Sequence, residues 1–145
     1  MNAEQLGTPS IRLGGLQIWV HGPESLSPAA PYVDWLIATA HCGALGADVW
    51  VHGSILMLSS IKVWVEGCEK IHRDLSGDAV LDGVEPELFV TMKVSDRLGH
   101  IQVCVSITPD YLRQKHKFEF ELDQSYLPNM IQECRAVLSS FGIKG

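Results

Sequence analysis

Between Lys117 and Leu122 the chain alternates without exception, Lys-Phe-Glu-Phe-Glu-Leu, and a few residues later it changes to the period of a helix. Period-two alternation places Phe118, Phe120 and Leu122 on one side of a strand and Lys117, Glu119 and Glu121 on the other, so one face is buried and the other wet. The stripe of Tyr126, Leu127, Met130, Ile131, Cys134, Val137, Leu138 and Phe141 then recurs at helical spacing. Pro128 fixes where that helix begins, because proline is tolerated only in the first turn, and Asp123 or Ser125 is its cap. Gly142 stops it. A strand and a helix that each bury one face need a common core, which confines the chain to a layered arrangement of sheet and helix.

The remaining elements read in the same way. Ile11, Leu13, Leu16, Ile18 and Val20 form one strand, bulged or bent at Gly14-Gly15. The stretch from His21 to Pro31, with Gly22, Pro23, Pro28 and Pro31, is a loop. Residues 35–42 and 49–58 pair as an antiparallel hairpin through Gly43-Ala44-Leu45-Gly46. Ser59 or Ser60 caps a helix with Ile61, Trp64, Val65, Cys68, Ile71 and Leu75 on one stripe, ended at Ser76-Gly77. A short apolar piece, 79–81, leads to strands at 88–94 and 100–107, joined by a turn at Ser95 to Gly99. The sum is an α+β fold of order β-β-β-α-β-β-β-α, a single antiparallel or mixed sheet of about six strands with two helices on one face. At 145 residues and 46% hydrophobic content the chain reads as one domain, 1–145, with residues 1–9 as a disordered or extended tail.

Charge and termini narrow the function classes. A formal net charge of -6 leaves no clustered Lys and Arg to neutralise phosphates, which argues against direct binding of nucleic acid. The first ten residues show no basic region followed by an apolar one, and no apolar run approaches the length of a membrane span. The expectation is a cytoplasmic protein with no membrane contact. Cys42, Cys68, Cys104 and Cys134 are widely spaced among apolar neighbours and read as buried free thiols.

No constellation carries chemistry. Cys68 and His72 share a helical face, and the hairpin could gather His41 and His52, but neither pair has the further ligands a metal site needs. No serine stands in a Gly-x-Ser-x-Gly elbow, and no glycine-rich turn opens a helix to cradle phosphate. Catalytic residues, cofactor and metal are therefore all expected to be absent. Acidic residues thicken between Glu66 and Glu87, where Glu66, Glu69, Asp74, Asp78, Asp82, Glu85 and Glu87 meet only Lys70 and Arg73. Asp74, Asp78, Asp82, Glu85 and Glu87 are the candidate partner-binding residues, set against the ordinary reading of a solvated surface. Trp64 fits the core stripe, and one or two of Trp19, Trp35 and Trp50 are left for the open sheet face.

Four pieces together resemble the WapI-type bacterial immunity proteins: Asp34-Trp35-Leu36, Glu85-Pro86-Glu87-Leu88, Leu98-Gly99-His100, and the run from Phe118 through Asp123-Gln124-Ser125-Tyr126-Leu127. The resemblance spans residues 34–141. It implies a non-enzymatic protein that binds and neutralises a cognate toxin domain, in such systems often a nuclease, by steric and electrostatic means. The matching motifs lie at fold-defining positions, so they transfer no binding residue. Two other readings stand beside it: a small-molecule-binding or enzymatic domain that uses the open sheet face with its tryptophans and histidines, and a homodimer joined through an edge strand.

Overall fold

A computed structural model describes residues 3–24 and 34–141. After one helical turn, α1 (Ala3–Leu6), come four strands: β1 (Ile11–Leu13), β2 (Leu16–Pro23), β3 (Trp35–Ala44) and β4 (Ala47–Met57). Helix α2 (Leu58–Asp74) follows, and then a second set of four strands: β5 (Asp78–Asp82), β6 (Leu88–Val94), β7 (His100–Ile107) and β8 (Lys117–Asp123). A 3-10 turn (Gln124–Tyr126) runs into helix α3 (Leu127–Ser140). The architecture is α+β, but the strands form two antiparallel four-stranded sheets, ordered β1-β2-β3-β4 and β5-β6-β7-β8, and not one sheet of six.

Two local features account for the two extra strands. The first strand is a hairpin, β1 paired with β2 in the register Ile11↔Ile18 and Leu13↔Leu16. Gly14 turns it at φ 56, and a Cβ there would lie 2.4 Å from the ring of Phe120, so the turn is tight because β8 packs over it. The short apolar piece is the centre of β5, which pairs with β6 from Asp78↔Lys93 to Asp82↔Phe89. The residues expected as a tail supply α1, while the proline loop lies mostly outside the described residues, β2 extending to Pro23.

The helices sit where the sheets need covering. On α2, Leu58, Ile61, Trp64, Val65, Cys68 and Ile71 are buried, and Trp64 Nε1 donates to the Met92 thioether at 3.3 Å. A Cβ on Gly67 would meet the Cβ of Ala79 at 2.9 Å, so two small residues let α2 lie close on β5. The helix cap is remote. Neither Ser59 nor Ser60 caps it; Asp34, ahead of β3, accepts from the Ser59 amide (2.9 Å) and hydroxyl (2.5 Å), and its carbonyl accepts from the Leu58 amide at 2.8 Å. Leu75, at φ 53, closes the other end. On α3 the expected stripe is buried at Leu127, Met130, Cys134, Val137 and Leu138, and Asp123 accepts from the Ser125 amide at 2.9 Å; the Gly142 stop lies outside the described residues. Both helices and both sheets contribute to one hydrophobic cluster, with Phe118, Phe120 and Leu122 half-buried at its margin. The edge strands are β1 and β4 in the first sheet and β5 and β8 in the second. Among the described residues no helix is long and apolar enough to cross a membrane.

Candidate functional site

The acidic residues singled out from the sequence are spread over the end of α2, strand β5 and the β5–β6 connection. Asp78 and Asp82 mark the two ends of the edge strand β5, on its exposed face, while Ala79 and Leu81 point to the core. Four residue steps along the strand separate them by about 13 Å. Glu85 is exposed in the connection to β6. Asp74 stands apart at the end of α2, where Arg73 grips it at 3.0 Å and holds its carboxyl below the usual range. Glu69 pairs with Arg135 of α3 at 2.5 Å. Glu87 turns partly inward, and its Oε2 is shielded from solvent with no hydrogen-bond partner among the described residues. Asp78, Asp82 and Glu85 are thus outward acids with no ion-pair partner among the described residues, whereas Asp74 is paired with Arg73 and Glu87 is turned partly inward.

Beside these acids the structure gathers apolar residues that the sequence reading passed over. Val63 from α2, Val80 from β5 and Val84 from the β5–β6 connection border an open groove of about 270 Å³, together with Ser59, Ser60 and Asp82. Phe89, opposite Asp82 in the ladder, is also exposed. Val84 is the sharpest of these, because it is β-branched and sits at φ 70, a region such side chains avoid.

The outer face of the first sheet has a different chemistry. Alternate residues Gln17, Trp19 and His21 of β2, Thr39 and His41 of β3, and Asp48, Trp50 and His52 of β4 share it, aligned by Gln17↔His41↔Trp50 and Trp19↔Thr39↔His52. Trp19 and Trp50 stack at 5.8 Å, and His41 lies 4.4 Å from the Trp50 ring. The Trp19 indole donates to the Gly7 carbonyl at 3.0 Å, so the N-terminal segment folds over it and buries it. His41 binds Asp48 at 2.7 Å. The Thr39 hydroxyl is shared by His21 Nε2 at 2.8 Å and His52 Nδ1 at 2.7 Å.

A hydroxyl between two imidazoles has the composition of a nucleophile with its base. Its placement does not: Thr39 is fully buried beneath the rings and has no route to a substrate. Desolvation, reinforced by the neighbouring His52, lowers the pKa of His21. The face is a network whose polar groups answer one another.

Three of the four thiols lie in the core. Cys42, Cys68 and Cys134 are buried, whereas Cys104, on the outer face of β7, is only half-buried, against expectation. Burial pushes Cys42 up to about 11 and Cys68 to about 12, and raises Cys134 as well, so none is a thiolate at neutral pH. Cys68 is buried and His72 of the same helix exposed, which separates that pair. Among the described residues no three His, Cys, Asp or Glu side chains are grouped to hold a metal ion.

With these surfaces described, the comparisons fix the family. The model of the immunity protein WapI-like family matches residues 9–142. The chain belongs to that family. No curated protein matches it. Among solved structures it is similar to WHY1 from Arabidopsis thaliana, with a TM-score of 0.52 at 11% identity, covering 88% of this chain and 86% of that one. At that identity the likeness concerns the fold. A chain of the CdiA-CT/CdiI toxin and immunity complex from Enterobacter cloacae matches with a TM-score of 0.46 at 10% identity, covering 83% and 99%.

Proposed function

We propose that this WapI-like protein is a non-enzymatic binder that neutralises a cognate bacterial toxin domain by occupying its surface, with the exposed side of β5 turned toward a basic partner. Family membership across residues 9–142 is the observation that carries this reading. The geometry supports it in two ways. The Thr39 hydroxyl held between His21 and His52 is fully buried, and Asp78, Asp82 and Glu85 stand exposed on an edge strand and its connection. Charges so placed act mainly on encounter rate and on the choice of partner.

The test is the affinity for a cognate toxin domain, sought among the products of the neighbouring genes and measured between low and high salt. Replacing Asp78, Asp82 and Glu85 by lysine is expected to weaken binding at least tenfold at low salt, with the gap narrowing as salt rises. Unchanged affinity in a variant that melts normally would remove this surface from the interface.

A further inference from the structure

We infer that the groove between the first turns of α2 and the β5–β6 connection is the anchor point of the interface, receiving one apolar side chain from a partner segment whose flanking residues are Lys or Arg. This rests on the immunity reading and adds the chemistry of the segment bound.

Three valines reach the groove from three separate elements. Val63 and Val84 are 64% and 63% exposed, and α2 buries its other apolar residues, so these two are apolar surface that the core does not use. At about 270 Å³ the groove lies just below the range of small-molecule pockets, roughly 300–1,000 Å³, and suits a single side chain.

The backbone holds Val84 in place. A Cβ on Gly83 would come within 2.6 Å of the Leu88 carbonyl oxygen and 3.0 Å of that of Ile55, so the connection is wedged between β4 and β6. The Gly83 amide donates to Leu88 at 3.2 Å and the Val84 amide to Asp82 at 2.8 Å. A valine held at positive φ and left exposed costs stability, where glycine or asparagine would relieve it. Anchor side chains presented on a rigid backbone are what concentrate binding energy in an interface.

The field around the groove selects the sign of the partner. Asp82 lines it and Glu85 follows Val84. The positive end of α2 would favour an anion, but the Asp34 carboxylate already occupies it. Lys62, beside Val63, is the exposed cation on that turn of helix. Carboxylates next to an apolar notch suit a leucine-like side chain between two cationic ones.

The experiment uses methyl-labelled full-length protein titrated with a blocked Gly-Lys-Leu-Lys-Gly peptide, observed by NMR. The Val63, Val80 and Val84 methyls are expected to move together and saturably, with at least tenfold weaker binding when both lysines become glutamate or the leucine becomes alanine. Val84→Gly and Val84→Asn are each expected to melt no lower than the parent and to lose at least tenfold in peptide affinity. Shifts centred elsewhere, equal binding of the glutamate peptide, or full affinity in both Val84 variants would overturn the groove. Because no toxin is involved, such a failure leaves the charge-reversal test of the immunity reading intact.

Discussion

The outer faces of the two sheets are built by the same alternation and have opposite fates. On the first, the polar residues satisfy one another: Thr39 serves His21 and His52, Asp48 serves His41, and Trp19 is closed under Gly7. On the edge of the second, Asp78, Asp82 and Glu85 look outward beside the exposed valines of the α2–β5 groove. A polar network whose members are mutually paired holds a sheet in one arrangement, and breaking it costs stability. Unpaired surface charges contribute little to stability and are free to act on a partner. Under the proposed function the first face serves the scaffold and the second recognition.

Mutations that exchange these roles would break the contrast. The largest effect is expected from Thr39→Val, which keeps the shape but leaves two imidazole nitrogens facing a methyl group. A loss of about 1–3 kcal/mol in denaturant unfolding follows from orphaned polar groups, with partner affinity unchanged. On the other face, Asp82→Asn keeps the acceptor for the Val84 amide while removing the charge; combined with Glu85→Lys it should weaken toxin binding about tenfold, roughly 1.4 kcal/mol. Its stability should stay within about 0.5 kcal/mol of the parent. Smaller still is Arg135→Ala, which removes a half-exposed ion pair between α2 and α3 and should cost about 0.2–1 kcal/mol in unfolding with no effect on binding.

Histidine titration sharpens the comparison without any mutation. Burial and His52 lower His21, so its contribution to stability is present above the ordinary value of 6.5 and is lost as pH falls through its folded pKa. His100, at the start of β7, is raised by its hydrogen bond to Asp96 at 2.6 Å. Its contribution is complete below 6.5 and fades as pH rises through the folded value. NMR titration should find His21 below and His100 above 6.5; the reverse order would contradict both networks.

What was legible in the sequence follows the range of the interactions responsible. The closing strand and helix were readable because their determinants are local: alternation from Lys117 and Pro128 in the first turn, although Asp123 caps the 3-10 turn ahead of α3 and not α3 itself, whose N-cap, Tyr126, makes no side-chain cap. The Gly14-Gly15 turn read as a bulge or bend within one strand, and not as a hairpin, because the reason for its tightness, Phe120, lies more than a hundred residues away. The α2 cap was assigned to neighbouring serines, while the carboxylate that performs it comes from Asp34. Division into two sheets depends on which strands pair, which alternation alone does not encode, and β5 is only five residues long. Among the candidate site residues, acidity was visible, but the pairing of Asp74 with its neighbour Arg73 and the inward turn of Glu87 were not. The valines were hidden for a different reason: Val63 and Val84 look like core residues until the fold leaves them outside.

Amide hydrogen exchange of the protein alone and bound to a cognate toxin domain tests the proposed division of labour most directly. Protection is predicted to concentrate in residues 58–63 and 78–89, with 17–21 and 39–52 exchanging as in the free protein. Protection centred on Trp19, His41, Trp50 and His52, with β5 and its connection unchanged, would contradict it.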